Sequence, residues 1–70
     1  MRAERNEYEL VVAGRIGTRV LGALEGLEVT SSSPEETKLR GWMADQAALH
    51  GVLERIRDLG LELTDVHRVA

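Results

Sequence analysis

Between Asp45 and Gly60 the chain carries Ala48, Leu49, Val52, Leu53, Ile56 and Leu59, a spacing that gathers all six on one side of an α-helix. Asp45 stands where an N-cap belongs, and Gly60-Leu61 supplies a left-handed stop followed by its apolar partner. A helix with one apolar stripe has to bury it, so the rest of the chain must provide a matching surface.

Period-two alternation supplies that surface. Tyr8, Leu10 and Val12 alternate with Glu9, Val11 and Ala13, which predicts a first strand with the former three facing the core. After Gly14 to Gly17, Thr18 is the expected N-cap of a helix of about two turns holding Val20, Leu21 and Leu24, with Gly26 at its C′ position. Leu27 to Thr30 reads as a second strand, Ser31 to Glu36 as a turn and Thr37 to Met43 as a third strand. In that third strand Leu39, Gly41 and Met43 share one face, and Lys38, Arg40 and Trp42 the other. A last strand runs from about Leu63 to Val69, but Leu63 and Val66 lie out of phase, which leaves its facing open.

The predicted fold is therefore α+β: a ferredoxin-like βαββαβ domain, with a four-stranded antiparallel sheet and two helices on one face. Strands 1 and 3 should be central and strands 2 and 4 at the edges. The alternative is a three-stranded sheet on which the first helix is only a turn. Residues 1–6 are expected to form a disordered arm and residues 7–70 the single domain. Gly51, and with it Gly22, costs roughly 1 kcal/mol relative to alanine inside a helix, which predicts a tight contact at each.

Seventy residues bury only roughly 60% of what the unfolded chain exposes. No cysteine is present, so neither disulfides nor thiolate metal sites can add stability. Oligomerisation is the expected remedy, most simply a two-fold dimer. The net charge of −3 argues against duplex nucleic acid as a partner. The longest apolar run, Leu10 to Ala13, is far too short to span a membrane, and the charged start is unlike a secretory signal. A cytoplasmic protein is expected. Eight arginines against the single Lys38 suggest a GC-rich bacterial genome.

The stretches Gly26-Leu27-Glu28-Val29, Leu39-Arg40-Gly41 and Asp45 to Leu61 carry a resemblance. Together they resemble a widespread family of short, functionally uncharacterised bacterial proteins with a DQAALHG…RIRDLGL helix. The resemblance implies the fold and no activity. Relatives tend to carry aromatics in the first helix, where Val20, Ala23 and Leu24 stand, and many carry proline where this chain has Trp42.

The sheet face away from the helices is the first candidate site. Val11, Ala13 and Arg15 of strand 1 are expected beside Lys38, Arg40 and Trp42 of strand 3. A single aromatic and an acidic chain disfavour base stacking. Exposed Val, Ala, Arg and Trp instead suggest an interface, so Val11, Ala13, Arg40 and Trp42 are the candidate residues for back-to-back dimerisation. The second candidate is the loop Gly14-Arg15-Ile16-Gly17. The segment Val52 to Val66 looks like the last third of an ACT-type domain, which implies a small-ligand regulatory role, although the loop lacks the acidic residue usual there. A plain strand-to-helix turn explains the loop more simply. His50 with Glu54 and His67 with Asp65 are two separated pairs, short of the three or four ligands a metal needs. His50 is expected to be partly buried beside the stripe. No catalytic, cofactor or metal residue is assigned. The expectation is a non-enzymatic homodimeric interaction module, with a protein partner and without cofactor.

Overall fold

The computed structural model describes residues 6–69. The expected arm over residues 1–5 lies outside the described residues, and Asn6, assigned to that arm, is instead the first residue of β1, opposite Met43. The elements are β1 (Asn6–Ala13), α1 (Thr18–Gly22), β2 (Glu28–Ser32), β3 (Glu36–Met43), α2 (Gln46–Asp58) and β4 (Leu63–Arg68). All pairings are antiparallel, in the order β2-β3-β1-β4. Strands 1 and 3 are central and strands 2 and 4 are at the edges, where the sequence reading placed them.

The β1–β3 register sets Tyr8 opposite Gly41, Leu10 opposite Leu39 and Val12 opposite Thr37. Leu10, Val12 and Leu39 have no exposed surface and form one core with Leu24, Met43, Leu49 and Ile56. Residues from both helical stretches thus cover the same side of the sheet. Thr37, 1% exposed, is the buried polar residue there, and its Oγ1 donates to the Gly14 carbonyl at 2.8 Å. A buried hydroxyl without such a partner would be costly.

α2 begins and ends as its sequence demands. The Asp45 carboxylate accepts from the Ala48 N–H at 2.9 Å. At the other end Gly60 has φ +78°. Its N–H donates to Arg57 O at 2.9 Å, and the Leu61 N–H donates to Ile56 O at 3.2 Å. These are the two bonds of a Schellman cap, with Leu61 packed against the core.

α1 departs from expectation. Its N-cap is Gly17 without a side-chain cap, Thr18 is already helical, and the helix closes after five residues. Gly26 is not its C′ residue. It has φ +86° in a separate turn closed by the Leu27 N–H on Leu24 O at 3.3 Å. β2 extends through Ser31 and Ser32, which shortens the expected turn. Ser33 Oγ accepts from the Glu35 and Glu36 N–H groups, both at 3.2 Å, and so fixes the bend.

The open phase of β4 resolves through an irregularity. Val12 pairs with Leu63 and Val11 with Asp65, so Thr64 is an extra residue. A one-residue bulge shifts the pleat by one step, which lets both Leu63 and Val66 pack against the core despite their odd spacing. Thr64 Oγ1 donates to Val11 O at 3.1 Å and anchors the bulge.

The glycine expectations are reversed. A Cβ at Gly22 or Gly51 would meet nothing within 4 Å. The tight position is Gly41, where a Cβ would lie 2.5 Å from Leu27 Cδ2 and 2.9 Å from the Gly26 carbonyl. The α1–β2 turn therefore rests directly on the backbone of a central strand.

These contacts make opposite predictions for one substitution. Gly41→Ala should lower stability by about 1–3 kcal/mol through overpacking. Gly51→Ala, at an exposed helix position, should raise it by about 0.8–1 kcal/mol. Urea unfolding should report both as midpoint shifts at unchanged slope.

Candidate functional site

Paired residues of neighbouring strands share a face, so the register that builds the core also composes the opposite face. There Glu7 stands opposite Trp42, Glu9 opposite Arg40, Val11 opposite Lys38 and Ala13 opposite Glu36. β4 adds His67 beside Glu9 and Asp65 beside Val11. β2 adds Glu28 beside Arg40 and Ser31 beside Lys38. One row across the sheet therefore reads Glu28, Arg40, Glu9, His67.

Ion pairs tie this face together. Arg40 Nη2 donates to Glu9 Oε1 at 3.3 Å. Its Nε is buried without a hydrogen bond and lies 3.9 Å from Glu7 Oε2, held by charge alone. Lys38 Nζ approaches Glu36 Oε2 at 4.0 Å. His67 Nδ1 hydrogen-bonds Asp65 Oδ2 at 2.6 Å, and its Nε2 lies 3.8 Å from Glu9 Oε2. Glu9 and Glu7 are the best-covered carboxylates among these pairs, with side chains 14% and 18% exposed.

The four candidate interface residues fare differently. Arg40 is half-buried and Trp42 is the exposed large apolar residue, at 52%. Ala13 is exposed at the strand end. Val11 is only 7% exposed, because its charged neighbours roof it, so it offers little surface to another chain. Arg15 does not join the row. The chain leaves the sheet at Gly14, which has φ +82° and donates its N–H to Glu35 O at 2.7 Å.

The Gly14–Gly17 loop leads into a helix of five residues, too short to present a helix N-terminus to an anion. His50 is exposed, contrary to the expected partial burial. It lines the rim of a groove of about 480 Å³ between α2 and the start of β4, with Glu54 and Arg57. Leu53, Ile56, Leu61 and Leu63 form the apolar floor. α2 runs nearest β3, which leaves this side of its stripe open. Among the described residues no group of three or more His, Asp or Glu side chains could hold a metal ion, and no helix is long and apolar enough to cross a membrane.

Sequence reasoning missed the carboxylate side of the sheet face. Its signal was Glu7-x-Glu9 on one strand against Lys38-x-Arg40 on another, which becomes a site only once the register is known. Arg40→Gln tests the arrangement: it leaves two well-covered carboxylates side by side. Stability should fall by about 1 kcal/mol near neutral pH. A urea midpoint lowered at unchanged slope would check this.

No curated protein and no solved structure matches the chain. A family model described as a domain of unknown function, DUF8691, matches residues 7–67, and the chain belongs to that family.

Proposed function

We propose that this chain is a non-catalytic protein-interaction module of the ferredoxin-like type, that it works in the cytoplasm as a homodimer, and that its helix-free sheet face receives a basic partner segment. One observation carries the choice of partner. Among the described residues the face groups Glu7, Glu9, Glu28, Glu36 and Asp65 with two fixed cations, Lys38 and Arg40, around the half-exposed ring of Trp42. Carboxylates beside an indole suit a lysine or arginine side chain, which gains from both charge and the ring face. A second copy stacked on this face, the occupant the sequence alone suggested, would set one acidic excess against another, so the charge balance favours the basic segment.

The groove between α2 and β4 supports a second reading, a small-ligand-binding regulatory domain. Its apolar floor with three polar rim groups has the general make-up of a ligand site. A thermal-shift screen against amino acids and nucleotides separates the two. The first reading predicts no shift, and a saturable rise for any compound would favour the second.

Trp42 is the only tryptophan in the chain, so its fluorescence reports directly on the face. Titration with an octaarginine peptide should give a saturable change that added salt suppresses. Glu7→Gln with Glu28→Gln should weaken binding about fivefold. Glu25→Gln with Asp58→Asn, the same loss of charge on the helical side, should leave it unchanged. Equal weakening by both pairs would mean that net charge, not this face, attracts the peptide.

A further inference from the structure

β4 is an edge strand, and its pairing with β1 determines which backbone groups remain available. The Val69 N–H donates to Glu7 O at 2.8 Å. Backbone groups alternate in direction along an antiparallel ladder. Those of Asp65 and His67 therefore point toward β1, while those of Val66 and Arg68 point off the edge of the sheet. An edge of this kind is a template for a further strand.

We propose that two copies of this chain join through β4, antiparallel about a two-fold axis at Val66, to form one eight-stranded sheet. The proposal deepens the homodimer reading above and rests on it. Charge selects the register. An outward-facing residue must stand opposite another, which leaves few alignments. With Val66 opposite the partner's Val66, each Asp65 lies opposite the partner's His67, so the Asp65–His67 pair already made within each chain meets its complement across the symmetric seam. Sliding one way sets Asp65 against its own copy, and sliding the other way sets His67, then Arg68, against its own copy. Like charges directly opposite are unfavourable.

The same axis brings the two α2–β4 grooves together at the seam. Leu63 and Val66 belong to the core-facing side of β4, and the groove opens beside Leu63 over Leu53 and Leu61. Each copy thereby covers the open flank of the other's helical stripe. A seventy-residue chain without disulfides gains the buried apolar area that its own core lacks. The seam also leaves the acidic sheet face uncovered for its partner.

The absence of cysteine makes a direct test possible. Directly opposite, hydrogen-bonded residues in an antiparallel pair lie about 5.5 Å apart at Cα, within the roughly 4.4–6.8 Å that a disulfide spans. Val66→Cys should therefore yield mainly covalent dimer on mild oxidation, and Trp42→Cys, which reports stacking of the sheet faces, should remain single-chain. By light scattering, His67→Asp should weaken association about tenfold. Adding Asp65→His to it should restore association, and Asp65→Asn, which breaks the same pair within each chain without setting like charges across the seam, should weaken association less than His67→Asp does. Cross-linking of Trp42→Cys in preference to Val66→Cys, or failure of the exchanged pair to restore the dimer, would overturn the seam while leaving a homodimer. A wild-type chain that scatters as a monomer at all concentrations would overturn the homodimer with it.

Discussion

The antiparallel register that sets Leu10 opposite Leu39 determines both faces of the sheet at once. Side chains alternate with a period of two, so a slip of one residue would turn the core outward and drive the charges inward. With this register, Leu10, Val12 and Leu39 are wholly buried under the helical residues, and Glu9 meets Arg40 on the other side. Core and candidate site are consequences of one pairing. The buried Thr37 hydroxyl fixes the end of the same ladder by bonding the Gly14 carbonyl, where β1 leaves the sheet.

Features written in consecutive residues were legible without coordinates. The α2 stripe, its Asp45 cap and its Gly60-Leu61 stop all depend on neighbours within a turn or two, and all are observed. The two faces of β3 were likewise readable from simple alternation. Features set by the meeting of distant segments were not. Leu63 and Val66 conflict in phase until the bulge at Thr64 is seen, and the bulge exists only relative to β1. Gly51 attracted notice because glycine is costly in a helix, yet its surroundings are open, whereas Gly41 in a strand is the crowded one. There the segments Gly26-Leu27 and Leu39-Arg40-Gly41, which carried the family resemblance separately, touch one another.

The sheet face shows the same division. Arg40 and Trp42 were placed correctly because they alternate with core residues on their own strand. Val11 was expected to be exposed, but lateral neighbours from β3 and β4 cover it. The His67–Asp65 pair was visible from sequence, while its approach to Glu9 required the β1–β4 pairing. Charge identity along a strand can be read directly. Charge balance across a sheet cannot, and that balance is what directs the functional reading toward a basic partner.

Proton NMR can test the register itself. By the alternation that points Val69 N–H toward Glu7, Glu9 with Arg40 and Val11 with Lys38 are non-hydrogen-bonded pairs, whose Cα atoms lie about 4.5 Å apart. The account predicts strong Hα–Hα nuclear Overhauser contacts within both pairs. Their absence, or equally strong contacts displaced by one residue along β3, would contradict the pairing and with it the core and the charged face.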